Sequence, residues 1–254
     1  MPKEFTHIED YLDIHNKVND LHIGGEITSG DKGIIYSISN DQTKVIKLMV
    51  IGTEDMFEIT EKEFNNEVKM NELAFEKDLG VELYDAGLFK MLKKSSNKET
   101  TFCYFITRKL DKTISDVLEQ LYTRPSEGKI TKLNKLMNDL YNRQVSNCFL
   151  HGDLTHLGNI MLDRLENKLY FIDLSGSKLS CKLTDINSQW DTLKKNILGD
   201  NSSYDDEVEK NEIVDAVFPT KQSRSRGRSR SRSRSRRRSQ SRSQSRSRSQ
   251  SRKN

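Results

Sequence analysis

Apolar runs in the first part of the chain predict β-strands that are joined by turns. Two β-rich runs, 34–38 and 44–51, flank a compact polar turn. Two further apolar runs, 81–89 and 101–107, are separated by the polar segment 93–100. Apolar runs interrupted in this way by turn-forming residues are typical of hairpins.

Between these strands, apolar residues at helical spacing predict a helix over residues 55–79, which are rich in Glu and Lys. Phe64, Val68 and Phe75 form the apolar stripe of this helix. Glu67 lies three residues from Phe64, so it borders the buried face rather than pointing fully away from it. A charged residue at a helix rim is ordinarily just solvated, and that interpretation stays open for Glu67.

The pattern changes to helices in the second half of the chain. After Leu110 a helix-start signature appears, in which Thr113 or Ser115 can cap the helix. Residues 130–145 carry apolar side chains on one side and form a further predicted helix. The first 20 residues are also amphipathic, and we expect them to form a helical extension that packs on the body.

Charge is distributed very unevenly along the chain. The whole sequence has 42 basic and 38 acidic residues, a net charge of +4. Residues 221–254 hold 13 Arg, 2 Lys and no acidic residue, so they carry +15. Residues 1–220 therefore hold 27 basic residues against 38 acidic ones, a net charge of −11. A basic tail on an acidic body favours contact of the tail with polyanions or with the body itself.

Cysteine usage and hydropathy indicate an intracellular protein. Cys103, Cys148 and Cys181 are isolated in the sequence, and no C-x-x-C spacing suggests a zinc site. The start of the chain has no apolar core of a signal peptide, and no apolar run reaches 18 residues. We expect a soluble protein of the cytoplasm or the nucleus, with no membrane partner.

A glycine-rich segment, 24–33, precedes the first two strands. Glycine permits close approach of the backbone to a phosphate, because no Cβ stands in the way. An ordinary glycine-rich hairpin accounts for the same residues, so this segment carries little weight alone.

Four chemistry-bearing elements follow one another in the order that phosphoryl-transfer enzymes of the kinase type use. They are a glycine-rich loop, a strand lysine with a helix glutamate as its partner, a first aspartate loop and a second aspartate loop. The glycine-rich loop is the segment 28–36, which contains Gly30, Gly33 and Ile35. The strand lysine is Lys47, after Val45 and Ile46, and the helix glutamate is Glu67. The two aspartate loops are His151-Gly152-Asp153, followed by Asn159, and Asp173-Leu174-Ser175.

Over residues 20–180 the chain resembles the protein-kinase-like superfamily. Its H-G-D-L-T loop is similar to that of small atypical members, such as the kinase of the KEOPS tRNA-modification complex and minimal viral Ser/Thr kinases. The resemblance implies an α+β, bilobal kinase fold with an antiparallel sheet and a helix in the N-lobe. The implied segments are the N-lobe (21–107) and a reduced helical C-lobe (108–199). Pattern and composition add an N-terminal helical extension (1–20), an acidic linker (200–222) in which the apolar residues 213–219 could dock, and a disordered Arg-Ser-rich tail (223–254).

The resemblance also implies a role for each site residue, with ATP and Mg²⁺ as the cofactors. Lys47 would contact the α- and β-phosphates of ATP, and Glu67 would hold Lys47 by an ion pair. Asp153 would orient the attacking hydroxyl. The remaining roles are ATP binding by Gly30, Gly33 and Ile35, and binding of Mg²⁺ by Asn159 and Asp173.

Several positions depart from the family pattern. Asn159 lies six residues after Asp153, where the pattern has five. Gly152 replaces the arginine of H-R-D, so activation through a phosphorylated loop is not expected. Thr155 replaces a catalytic-loop lysine, and Ser175 stands where D-F-G has its glycine. An A-P-E motif is also missing, so the usual peptide-docking platform is largely absent.

Three functions remain open at this stage. The first is an ATP-dependent Ser/Thr protein kinase. The second is a small-molecule phosphotransferase of the same fold, because choline- and aminoglycoside-type enzymes also use H-G-D. The third is an inactive kinase-like scaffold whose Arg-Ser tail binds RNA or splicing-type partners. Structural interpretations of the residues also stay open, with Lys47 as an edge-strand lysine and Asp173 as a turn former. For His151 we expect a structural role, as a buried histidine bonded to the backbone.

The Arg-Ser tail offers its own set of partners. Its 13 serines alternate with 13 arginines, so it cannot bury an apolar core. Unmodified, it would bind RNA or another acidic partner through salt-sensitive contacts. Each phosphoserine adds a charge of about −1.5 to −2, so the tail could also be a substrate of this kinase or of another. A solubilising or nuclear-localising tail is the simplest alternative.

Overall fold

The computed structural model describes residues 22–30, 33–52, 58–92, 99–199 and 207–219. The architecture is α+β, with a five-stranded antiparallel sheet and five α-helices in the described part. The predictions for residues 1–20 and 223–254 lie outside the described residues. None of the helices in the described ranges combines the length and apolar character needed to cross a bilayer.

The sheet is built from the strands that the apolar runs predicted, together with one strand that precedes them. Its spatial order is β1-β2-β3-β5-β4, and every neighbouring pair is antiparallel. The strands are β1 (Ile23–Gly30), β2 (Gly33–Ile38), β3 (Lys44–Ile51), β4 (Leu83–Leu92) and β5 (Glu99–Arg108). Side chains alternate between the two faces of such a sheet, so each face has its own apolar cluster.

The first helix, α1 (Glu61–Glu76), packs on one face of the sheet through Phe64 and its neighbours. It starts where Thr60 and Glu63 form a capping box, in which each side chain bonds the other residue's backbone N–H. The predicted helix over 55–79 was therefore too long at both ends within the described residues. Phe75 was wrongly placed on the buried stripe, because its side chain is 49% exposed.

The second half of the chain is mainly helical and carries three short pairings of strands. Its strands are β6 (Lys112–Thr113), β7 (Phe149–Leu150), β8 (Ile160–Asp163), β9 (Lys168–Phe171) and β10 (Lys178–Leu179). Its helices are α2 (Ile114–Thr123), α3 (Glu127–Ser146), α4 (Leu183–Gly199) and α5 (Glu207–Val217), and a 3₁₀ turn covers Leu157–Asn159. Thr113 caps α2, as one of the two predicted alternatives, and shares a capping box with Asp116.

The segment predicted as an acidic linker, 200–222, contains the helix α5. Ile213, Val214, Val217 and Phe218 are buried in the core that α2, α3 and α4 form. The prediction of an acidic linker is therefore wrong for residues 207–219, because these four apolar side chains are removed from water when the helix docks.

Two of the three cysteines are bonded to each other, which the sequence did not suggest. Cys148 and Cys181 form a disulfide across 33 residues of chain. They meet because β7 and β10 pair antiparallel, with Leu179 opposite Phe149. Cys103 remains a free thiol and is buried in the sheet.

Candidate functional site

Lys47 lies at the centre of the sheet, on the face that α1 covers. On β3 it stands opposite Ile35 of β2 and Phe105 of β5. Its Nζ is 3.2 Å from Oε1 of Glu67 and 3.1 Å from Oδ1 of Asp173. Three residues that are far apart in sequence therefore form one ion-paired cluster, and Lys47 is not an isolated edge-strand lysine.

Glu67 reaches Lys47 because α1 turns it towards the sheet. The side chains of Phe64 and Met70, three residues to either side, are buried on the same helical face. Only 3% of Glu67 is exposed, so its carboxylate is almost fully withdrawn from water. A solvated helix rim is therefore the wrong interpretation for this glutamate.

The protonation of Lys47 follows from two opposing effects. Desolvation of the ammonium group lowers the pKa of Lys47, whereas the negative charges of Glu67 and Asp173 raise it. The combined effect of the two negative charges is larger than that of desolvation, so the pKa of Lys47 lies above its ordinary value. The side chain is thus held as a permanent cation at neutral pH.

The hairpin of β8 and β9 brings Asn159 next to Ile172, the residue that precedes Asp173. Ile160 pairs with Phe171, so the residues just beyond these two, Asn159 and Ile172, also face each other. The backbone N–H of Ile172 donates to the carbonyl oxygen of Asn159 at 3.0 Å. Asp173 follows directly, in a left-handed backbone conformation with φ of 56°. This conformation is uncommon outside glycine, and such residues cluster at functional sites.

Asp153 and Asn159 are joined across the loop that carries both. The side-chain NH₂ of Asn159 donates to the carbonyl oxygen of Asp153 at 2.8 Å, so the amide oxygen takes no part in this bond. The hydroxyl of Thr155 donates to Oδ1 of Asp153 at 2.5 Å. A 3₁₀ turn over Leu157–Asn159 ends this loop directly before Ile160.

His151 connects the two aspartate loops and is fully buried. Its Nδ1 accepts the backbone N–H of Asp153 at 3.3 Å, so Nε2 carries the hydrogen and donates to the carbonyl oxygen of Ile172 at 2.8 Å. Burial lowers the pKa of His151 more than its hydrogen bonds raise it, so the ring is neutral at pH 7. The structural role that we expected for His151 is confirmed.

Gly152 lies against the backbone of Gly176. Its φ is +90°, and a Cβ added there would lie 2.0 Å from the carbonyl oxygen of Gly176. No side chain fits at this distance, which explains why a glycine stands at this position. The two loops therefore touch through their backbones.

The glycine-rich segment is only partly described, because residues 31 and 32 lie outside the described ranges. Gly30, the last residue of β1, pairs with Gly33, the first residue of β2. A Cβ on Gly33 would lie 2.5 Å from the carbonyl oxygen of Leu48, so packing against β3 already requires this glycine. Ile35 is half-buried and stands directly beside Lys47 in the sheet.

Two asparagines that the sequence analysis missed support the loops. Asn66 on α1 donates its side-chain N–H to the carbonyl oxygen of Ser175 at 2.9 Å, and Asn196 on α4 donates to that of Thr155 at 3.0 Å. Neither belongs to a motif, because each acts from a helix far away in sequence. Only the position of Asn66 next to Glu67 was a signal that could have drawn attention to it.

The structure thus brings Lys47, Glu67 and Asp173 into direct contact, and it joins Asn159 to Asp153. No protein-family model matches the chain, and no curated protein is significantly similar to it. Its function must therefore be argued from the geometry of this site.

Proposed function

We propose that the protein is an ATP-dependent Ser/Thr protein kinase of the protein-kinase-like superfamily. In this proposal residues 21–107 form the N-lobe, residues 108–199 form a reduced C-lobe, and the substrate nucleotide lies between them. The observation that carries the proposal is the double ion pair of Lys47, at 3.2 Å to Glu67 and 3.1 Å to Asp173.

This cluster is better explained by function than by stability. The side chains of Lys47 and Glu67 are only 20% and 4% exposed. Withdrawing such charged groups from water costs several kcal/mol per ion, and a well-packed apolar replacement is often as stable or more stable. A cation fixed by a buried carboxylate, in contrast, is what a site needs to stabilise the charge of transferring phosphate groups. Glu67 fixes the ammonium group of Lys47, and Asp173 adds a second carboxylate beside it.

The oxygen donors of Asp173 and Asn159 fit a hard cation such as Mg²⁺. Within the described ranges no group of three or more His, Cys, Asp and Glu side chains is placed to hold a metal. Mg²⁺ does not require such a group, since proteins usually bind it through one or two carboxylates together with substrate phosphates. When bound, the metal would neutralise charge on the phosphates of ATP.

Asp153 is the residue that we assign to the acceptor hydroxyl. Thr155 holds Oδ1 of Asp153 at 2.5 Å, and the second carboxylate oxygen takes no part in that bond. Asp153 accepts the hydroxyl proton while the acceptor oxygen bonds to the γ-phosphorus and the bond from that phosphorus to the bridging oxygen of ADP breaks. Lys47 holds the phosphates in place during this step, so the chain contributes mainly positioning and charge stabilisation.

The test is a phosphoryl-transfer assay on the full chain with γ-labelled ATP and Mg²⁺. Lys47→Ala and Asp153→Asn should each reduce transfer to a basic protein by about 100-fold or more. The matched control is Lys90→Ala, which removes an exposed lysine that is paired with Glu99 at 2.6 Å in the same sheet. Its transfer should be unchanged.

The same assay separates the alternative functions by its acceptors. Label on choline or an aminoglycoside, with none on protein, would replace the proposal by a small-molecule phosphotransferase. If the chain shows no transfer and binds no nucleotide, an inactive scaffold is the correct description. A peptide of residues 221–254 serves as a third acceptor, because its 13 serines make the chain's own tail a candidate substrate.

RNA binding by the tail is a separate proposal with its own readout. The tail carries +15, so its affinity for RNA should fall steeply with salt concentration. Removal of residues 221–254 should abolish salt-sensitive RNA binding and leave the phosphoryl-transfer rate on a basic protein unchanged. Equal RNA binding by the truncated chain would refute a role for the tail.

A further inference from the structure

The disulfide lies between the two loops that carry the candidate catalytic aspartates. Cys148 directly precedes β7, which leads into His151 and Asp153. Cys181 follows β10, a few residues after Asp173. The covalent bond therefore ties the segment before one aspartate to the segment after the other.

Non-covalent contacts between these two segments are few at the end where the disulfide stands. The strands β7 and β10 share only two residue pairs, and one further backbone bond runs from the N–H of Ser180 to the carbonyl oxygen of Cys148 at 2.6 Å. Both side chains of β10, Lys178 and Leu179, are exposed, and Leu179 is exposed to 56%. A two-stranded ladder without a buried side chain on one strand has little stability of its own.

The disulfide is also accessible to reagents. Cys181 is exposed, whereas Cys148 is half-buried. Exposed disulfides are the labile ones, in contrast to buried structural disulfides. Lys178 and Lys182 flank Cys181 in sequence, and neighbouring cations favour the thiolate that re-forms a disulfide.

The third cysteine does not compete in this chemistry. Cys103 is fully buried, and burial raises the pKa of its thiol to about 12. A thiol of this kind is almost wholly protonated at neutral pH and is not a nucleophile. Among the described cysteines, exchange is therefore confined to the pair of Cys148 and Cys181.

We propose that the Cys148–Cys181 disulfide is a reversible redox clamp that holds the Asp153 and Asp173 loops together. A cellular dithiol, or dithiothreitol in vitro, reduces it: the dithiol becomes a disulfide, and its two electrons and two protons convert the bond into two cysteine thiols. Reduction releases β10 from β7 and loosens the turn after Asp173. The clamp itself rests on the structure, whereas its effect on catalysis rests on the proposed function.

The direct test is hydrogen exchange of the full-length chain before and after treatment with dithiothreitol. Reduction should speed exchange in the peptide 178–182 by at least tenfold, because the backbone bond from the N–H of Ser180 to the carbonyl oxygen of Cys148 then opens readily. The variant with both Cys148→Ser and Cys181→Ser should exchange at the fast rate under both conditions. Cys103→Ala keeps the clamp and should respond to dithiothreitol as the wild type does.

Phosphoryl transfer provides the second readout. Reduction should lower transfer by the wild type at least threefold, while the double serine variant should be insensitive to dithiothreitol. If exchange responds but no transfer occurs in either redox state, the clamp stands and the kinase proposal fails. If transfer occurs but exchange of 178–182 is the same in both states, or if non-reducing peptide mapping finds no link between Cys148 and Cys181, the clamp is refuted.

Discussion

Replacement of Gly152 by alanine is the sharpest single test of how the two aspartate loops are held. The added methyl group would lie 2.0 Å from the carbonyl oxygen of Gly176 and 2.3 Å from its carbonyl carbon. Both are backbone atoms, so they cannot rotate away as the end of a flexible side chain can. The backbone at Gly152 also has a φ of +90°, which disfavours any residue with a Cβ.

The size of the effect follows from these two observations. A positive φ costs a non-glycine residue about 1–2 kcal/mol. Forcing a methyl group into a closed contact costs about 1–3 kcal/mol more, because the loops must move apart. We therefore expect Gly152→Ala to lower the free energy of unfolding by about 2–5 kcal/mol.

Urea denaturation of the two variants Gly152→Ala and Gly158→Ala measures this difference. Gly158 belongs to the same loop, and a Cβ added there meets nothing within 4 Å, so the control should be as stable as the wild type. Gly152→Ala should shift the midpoint without changing the slope. Equal midpoints for the two variants would show that the contact with Gly176 is not as close as described, and the account of the loops would fail.

Three further predictions address the ion pair, the histidine and the disulfide. Glu67→Gln should lower the free energy of unfolding by about 1–3 kcal/mol in thermal melts and weaken ATP binding at least tenfold, because Lys47 loses a charged partner; unchanged ATP affinity would contradict the role of this pair. The lowered pKa of His151 means that the unfolded chain binds a proton at this residue more readily than the folded chain does. The free energy of unfolding should therefore be constant above about pH 6.5. At lower pH it should decrease by at most about 1.4 kcal/mol per pH unit. Urea midpoints from pH 7.5 to 5.5 measure this slope, and an equal slope in His151→Asn would assign it to other groups. Reduction of the bond from Cys148 to Cys181 should cost about 3–4 kcal/mol of stability for a loop of this length, measured by urea denaturation with and without reductant, and the double serine variant should not respond.

The strands and the position of Glu67 at the buried face of its helix were accessible from the sequence because local patterns determine them, whereas the ion pair of Lys47 with Glu67 was implied only by the family resemblance. Apolar runs broken by turn residues predicted β2, β3, β4 and β5. The spacing of Phe64 and Glu67 placed both near the buried face of one helix, which the structure bears out. The capping box of Thr60 and Glu63 was equally readable, and it would have corrected the start of α1.

Other features depend on contacts between distant parts of the chain and were not predictable in this way. The two bonded cysteines are 33 residues apart, and only the pairing of β7 with β10 brings them together. The apolar residues of 213–219 indicated that this segment could dock, and their burial bears this out, but the acidic composition around 200–212 concealed that the helix α5 begins at Glu207. The support of Ser175 by Asn66 spans 109 residues and follows from the packing of α1 alone.

The charge balance of the cluster around Lys47 has a consequence for the order of binding. One ammonium group faces the carboxylates of Glu67 and Asp173, so the formal charge of the three groups is −1. A bare nucleotide, with its own anionic phosphates, is repelled by such a site, whereas a divalent cation is attracted to it. On the proposed function, nucleotide and cation would therefore enter most favourably as one neutralised unit, and occupancy of the site would depend on the concentration of the cation as strongly as on that of the nucleotide.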